Sequence, residues 1–214
     1  MKTALISAAF ATALVTTVSA VNLSLTNVSG GAVSSGTYTV GTNTGTANAN
    51  SWPNAEGPAL ATNGLQTDKY LNFLKIDTGI AVNANGGSAS LILNGLTFSA
   101  GNDAPERDPL TFTLYGSSTP LASGPIVLST LTLIVANAAT GLATDPGRNT
   151  FSSLQTFANN TAYAGYVLYF PTVRNAAGAN SMQVGEITFS NNIPEPGTVA
   201  LSGLAFLGFL RRRR

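Results

Sequence analysis

Between residues 21 and 190 the apolar positions fall in short runs separated by Gly, Pro, Asn and Ser. The clearest run is Leu110 to Tyr115, where Leu110, Phe112 and Leu114 face one way and Thr111, Thr113 and Tyr115 the other. That is the period of two of a half-buried strand. Val21 to Leu25, Thr37 to Val40, Tyr70 to Leu74, Ser90 to Phe98, Ile126 to Val135, Gly165 to Val173 and Met182 to Phe189 continue the series, and no stretch of this body has a helical period. Seven or eight short strands with turn residues between them predict an all-β fold, an antiparallel jelly-roll β-sandwich. It forms one domain over residues 21–192, without an internal repeat. Residues 29–51 are its loosest part, expected to hold one strand and a long polar loop.

The two ends follow a different pattern. Met1 to Ala20 has Lys2, an apolar middle and the small residues Val18-Ser19-Ala20, which together read as a signal peptide over residues 1–20 and a mature chain from Val21. At the other end Pro194 and Pro196 remove two backbone donors and push their predecessors toward extended geometry, so the body stops near Ile193. Thr198 to Leu210 then carries no charge and is followed by Arg211, Arg212, Arg213 and Arg214. A thirteen-residue helix covers roughly 20 Å at ~1.5 Å per residue, short against a hydrocarbon core of about 30 Å. By length this is either a buried C-terminal helix or a short membrane segment whose arginines stay in the cytoplasm.

The order Pro-Glu-Pro, short hydrophobic helix, arginine block closely resembles the PEP-CTERM sorting signal, here over residues 193–214. The resemblance implies recognition of Pro194, Glu195 and Pro196 and cleavage nearby by an exosortase-type membrane protease, in Gram-negative bacteria that make exopolysaccharide. Arg211 to Arg214 would be the stop-transfer block that holds the tail in the inner membrane before processing. The localisation it implies is the cell surface or the extracellular matrix.

Charge is scarce at 9% of residues, and half of the ten basic residues are Lys2 and the arginines of the ends. Residues 21–193 keep two Lys and three Arg against eight Asp and Glu. With no basic patch for phosphates, a nucleic-acid partner is not expected. Cysteine and histidine are both absent. An exported chain must then rely on its core, and His-dependent triads and His or thiolate metal sites are excluded.

What chemistry remains sits in a few places. Trp52 is either a surface platform for a sugar ring or an aromatic plug at one end of the sandwich. Glu56 is a solvated charge or an oxygen ligand. Asp103, Glu106 and Asp108 cluster around Arg107 between Pro105 and Pro109. They make a paired-carboxylate site, a hard-cation loop, or a rigid connector in which Arg107 neutralises its neighbours. Glu186 breaks the alternation of Met182 to Phe189. That means a bulge at Gly185-Glu186, or a carboxylate turned inward to a partner such as Arg174 or a cation.

The runs TDKYLNF (67–73), GNDAPERDPLTFTLYGS (101–117), FANNTAYAGYVLYF (157–170) and SMQVGEITF (181–189) resemble, in that order, the galactose-binding-like, discoidin-type β-sandwiches of exported bacterial proteins. Those are jelly rolls whose end loops often bind carbohydrate beside a structural Ca²⁺. Carried over by motif, the resemblance implies a Ca²⁺ site drawing on Asn63, Asp68 and Glu186, while Trp52, Asp103 and Arg107 are the candidate ligand-binding residues from their own chemistry. Asn63 stands where the related loops tend to carry Asp, which removes one anionic ligand. The expected function is a non-enzymatic binding or structural module for exopolysaccharide. The alternatives are a glycosidase-like enzyme using carboxylates such as Asp103 and Glu106, or a matrix protein with no ligand.

Overall fold

The computed structural model describes residues 25–84 and 90–191; the expected signal peptide and the whole sorting signal lie outside them. In chain order the strands are β1 (Leu25–Ser34), β2 (Thr37–Val40), β3 (Tyr70–Asn72), β4 (Thr78–Ala84), β5 (Leu91–Ile92), β6 (Gly95–Phe98) and β7 (Thr111–Ser117). They continue with β8 (Ile126–Val127), β9 (Thr132–Ala139), β10 (Gln155–Thr156), β11 (Ala162–Tyr163), β12 (Gly165–Phe170), β13 (Met182–Val184) and β14 (Ile187–Ser190). Seven of them form one sheet in the order β8-β2-β1-β4-β12-β7-β9. The others pair as β10-β6-β14, β11-β5 and β13-β3. Every pairing between these strands is antiparallel, and β4, β12 and β7 are neighbours far apart in sequence, as the crossed connections of a jelly roll require.

The main core lies between the large sheet and the smaller ones. Ile80, Val82, Phe112, Leu114, Tyr166, Leu168 and Phe170 come from the large sheet, and Tyr70, Leu96, Phe98, Val184, Ile187 and Phe189 from the others. Phe98 joins the two layers, its ring 5.2 Å from that of Phe112 and 6.2 Å from that of Phe170. The alternation of Leu110 to Tyr115 is realised here: Phe112 and Leu114 are fully buried, while Thr111 and Tyr115 are half-buried on the other face.

That other face is also covered. Residues 118–131 leave β7, cross the sheet, pair briefly with β2 as β8, and return to β9 at the opposite edge. Laid flat, six inter-strand steps of about 4.8 Å would part the two edges by roughly 29 Å, whereas the five steps from Val127 to Thr132 reach about 18 Å. The sheet therefore curls around this strap. Leu121, Ile126, Leu128 and Leu131 fill the curl against Tyr38, Ala81 and Val167 and make a second, smaller core. With apolar contacts on both faces, all seven residues of β4 are buried.

Three expectations change at this level. Ile126 to Val135 is not one strand, because a 3-10 turn at Leu128–Thr130 carries the chain from one edge of the sheet to the other. Ser90 to Phe98 splits at Leu93-Asn94, where the chain leaves β11 and joins β14. Residues 29–51 contain most of β1 and all of β2, joined at Ser35 and Gly36, whose φ values of 48° and 75° are the paired positive angles of a tight hairpin turn. The run Ser29-Gly30-Gly31 reads as loose only because two tyrosines occupy its side-chain space. A Cβ on Gly30 would lie 2.5 Å from Tyr70 Oη, and one on Gly31 2.6 Å from the Tyr38 ring.

Among the described residues no helix is long and apolar enough to cross a membrane.

Candidate functional site

None of the thirteen charged residues in the described segments lies in a strand; all are in connections. Most converge where the 101–109 connection meets those after β12 and before β10. The chain's entry and exit are at the opposite end of the sandwich. Leu25 pairs with Ala84, and Ser190 with Gly95 at the start of β6, whereas the 101–109 connection follows the end of that strand.

The 101–109 connection is held by long-range partners. Ala104 sits at φ 41°, and Pro105–Arg107 form one 3-10 turn. The buried Gln183 amide donates to the carbonyls of Asp103 and Ala104. Asp108, with no exposed side-chain surface, accepts both Arg148 Nη1 (3.2 Å) and Nη2 (2.7 Å), Arg174 Nη2 (3.2 Å) and the Gly101 N–H (3.4 Å). Arg148 also pairs with Asp145 at 2.5 Å, and Arg174 donates to the Leu142 carbonyl. One carboxylate thus ties together three connections.

Arg107, next to Asp108 in sequence, is not the neutralising partner. Among the described residues its ion pair is with Asp103, at 3.8 Å. Asp103 belongs instead to Lys69, a lysine 6% exposed, whose Nζ lies 2.9 Å from Asp103, 3.4 Å from Glu56 and 3.2 Å from the Gln183 amide oxygen. Burial alone would raise the Asp103 carboxyl, but the hydrogen bond and charge of Lys69, then the charge of Arg107, hold it below the ordinary carboxylate value. A general acid needs the opposite shift.

Trp52 is 9% exposed, edge-on to Tyr70 at 6.0 Å, with Gly57 against its Nε1 edge. The ring is part of the main core and presents no open face for stacking.

Asn63, Asp68 and Glu186 do meet. The Asn63 amide nitrogen donates to Asp68 Oδ2 (2.7 Å), its oxygen accepts the Leu65 N–H (2.9 Å), and Glu186 Oε2 accepts the Gly64 N–H (3.0 Å). The strand is interrupted at Gly185-Glu186 and the carboxylate turns inward, but its partner is this backbone and not Arg174, which is taken by Asp108. Ca²⁺ takes six to eight oxygens. Here the amide donor already occupies Asp68 and the amide oxygen is spent, so the set as arranged does not fit a hard cation. Among the described residues no group of three or more His, Cys, Asp or Glu side chains is placed to hold a metal.

Burial raises the Glu186 carboxyl above its ordinary value; the Gly64, Asn63 and Leu65 N–H groups oppose this and the charge of Asp68 adds to it. A raised acid disfavours the folded state once pH exceeds the unfolded value, about 4.3, because only the unfolded chain ionises freely. Glu186→Gln keeps an acceptor for Gly64. It is expected to melt higher than the parent at pH 7 and equally at pH 3 in thermal scans of both proteins. A lower melting temperature for the variant at pH 7 would mean that the carboxylate holds a cation after all.

The same end of the sandwich carries a groove of about 380 Å³ that the sequence did not announce, lined by Asn48, Phe73, Leu74, Lys75, Ile76, Ala179 and Asn180. Residues 73–76 lead into β4 at Thr78, whose partner Phe170 precedes the Val173–Arg174 connection, and Asn175 bonds to the Glu106 carbonyl. Phe73 and Leu74 are half-buried and Ile76 is 43% exposed, so the floor is apolar and open. In sequence Phe73 reads as the continuation of a core strand, whereas the strand ends at Asn72 and residues 73–77 bend away from it.

Residues 192–214 match the family model of the PEP-CTERM protein-sorting motif, and the chain carries that motif. No curated protein matches the chain. Among solved structures it is similar to carbohydrate-binding modules. The family 32 module of Clostridium perfringens NanJ in complex with galactose aligns over 65% of this chain and 88% of its own, at 10% identity and TM-score 0.45. The family 32 module of Streptococcus pneumoniae EndoD covers 65% of this chain and 88% of its own, at 11% identity and TM-score 0.46. A C. perfringens module in complex with GalNAc-β-1,3-galactose covers 65% and 86%, at 12% identity and TM-score 0.46.

Proposed function

We infer that this is an exported, non-enzymatic carbohydrate-binding protein, delivered to the cell surface or extracellular matrix through its C-terminal motif and acting there on exopolysaccharide. The observation that carries the reading is the motif at residues 192–214, which follows directly on the last strand of a β-sandwich. An exosortase-type membrane protease cleaves the chain near Pro194-Glu195-Pro196, after the tail has held it in the inner membrane. The body's exit at Ser190 is at the end away from the charged connections and the groove. Anything bound at that end therefore faces away from the tether. The binding role is supported by the open apolar groove rimmed with amides, the usual make-up of a small-ligand site.

The non-enzymatic reading is supported by the state of the carboxylates. Glu56 and Asp103 share one lysine, and Asp108 is clamped by two arginines. Burial raises the Asp108 and Glu186 carboxyls, yet the first is engaged by two arginines and the second by the Gly64 N–H, so neither is free to protonate a glycosidic oxygen as a glycosidase requires.

The test is intact mass and C-terminal sequence of the protein recovered from the native cell surface, followed by a glycan screen of that material. A C-terminus within residues 193–197 and retention on at least one polysaccharide are expected. A recovered chain that keeps Arg214 sinks the processing step, and hydrolysis of the retained glycan sinks the non-enzymatic reading.

A further inference from the structure

The geometry points to an anionic sugar, a pyranose bearing a carboxylate or sulfate, as the ligand of the groove at Phe73–Ile76. This rests on the carbohydrate-binding reading and narrows it. The five basic side chains of the described residues are unequal: Lys69, Arg107, Arg148 and Arg174 each have a carboxylate within 4.0 Å, and Lys75 has none. The acid nearest in sequence, Asp77, is engaged by the Tyr169 hydroxyl. Lys75 lines the groove, half-buried beside the apolar floor of Phe73 and Ile76. On the rim the Asn48 side chain makes no hydrogen bond among the described residues, and Asn180 uses only its oxygen, toward Ser181.

Each part has a matching part in such a ligand. The floor covers the C–H face of a pyranose, and the two amides reach its hydroxyls. The ammonium is the discriminating group. A neutral sugar would strip water from Lys75 and return only neutral hydrogen bonds, whereas an anionic one returns a charge-assisted bond of roughly twice the strength. The body carries an excess of acid, so long-range attraction does not favour this ligand; selectivity has to arise in the groove itself.

The experiment is isothermal titration of the full chain in mild detergent with three probes of equal length: an oligouronate, a sulfated oligosaccharide and a neutral oligosaccharide. The variants are Lys75→Gln and Ile76→Glu. Both positions are at least partly open to solvent, so neither change creates a cavity, and circular dichroism checks the fold. The expected result is tighter binding of one or both anionic probes, weakened roughly ten- to a hundredfold by Lys75→Gln and lost with Ile76→Glu, with the wild-type affinity falling as salt rises. Preference for the oligouronate over the sulfated probe assigns the carboxylate, and the reverse the sulfate. Equal binding of the neutral probe, unchanged in Lys75→Gln, overturns the anionic assignment and leaves the carbohydrate reading standing. Binding abolished by Arg107→Ala but not by the groove variants moves the site to the 101–109 connection and overturns the groove. No binding of any probe removes both.

Discussion

Asp108→Ala is expected to be the most damaging single substitution outside the aromatic core, at about 3–5 kcal/mol, or a fall of roughly 10 °C in melting temperature. The reason is not the worth of the ion pairs as such. Taking Asp108, Arg148 and Arg174 out of water has a large cost, offset because the carboxylate has no exposed surface and receives four donors. Without it, two guanidiniums held at 22% and 18% exposure by other contacts keep their desolvation penalty and lose their common counter-ion. The effect is also topological, since apart from the isolated bridges Pro109–Val173 and Ser99–Phe151 and a few backbone hydrogen bonds, the three connections are joined through Asp108. Chemical denaturation of parent and variant measures the loss. If the cost is below about 1 kcal/mol, water reaches the arginines and the cluster behaves as an exposed one. A triple variant in which Asp108, Arg148 and Arg174 all become apolar should recover much of the loss, because it leaves no unpaired charge behind.

Phe98→Ala is the second large effect, also about 3–5 kcal/mol. Phe98 is fully buried on the smaller sheet, and its contacts with Phe112 and Phe170 on the large sheet hold the two layers together. Its neighbours cannot collapse into the space, because all three strands are fixed by ladders on one or both sides. Urea unfolding should show a lower midpoint with an unchanged slope. Phe157→Ala, at a half-buried ring on the rim of the same core, 6.2 Å from Phe112, serves as the control and should cost clearly less. Equal losses at the two sites would mean that Phe98 lies in a region able to repack.

Several of these elements can be read from residues alone. Period-two alternation placed Thr111–Ser117 well, and Gly165–Phe170 and Met182–Val184, buried on both faces, were legible as short runs between turn residues. The same rule failed at Ser29-Gly30-Gly31. There the strand has given up its side chains to make room for tyrosines 38 and 70, and a missing side chain looks like a loop. It failed again at Ile126 to Val135, since an uninterrupted apolar run carries no mark of the point where it changes edge. The candidate residues divided in the same way. Asn63, Asp68 and Glu186 are neighbours as the motif order implied, yet their hydrogen bonds close the loop with an amide where a cation was expected.

By itself the sequence determined the fold class, the absence of histidine and thiol chemistry, and the tail whose motif directs the chain outward, since each depends on composition or on contiguous residues. Only the tertiary structure decided who pairs with whom. Arg107 is one residue from Asp108, yet the partners are Arg148 and Arg174, 40 and 66 positions away. Among the described residues Lys75 stands out as the cation without a carboxylate partner only once the other four basic side chains have been seen with their acids. Charge pairing in a folded chain is set by distance in space and by burial, and a linear order of residues encodes neither for groups brought together across connections.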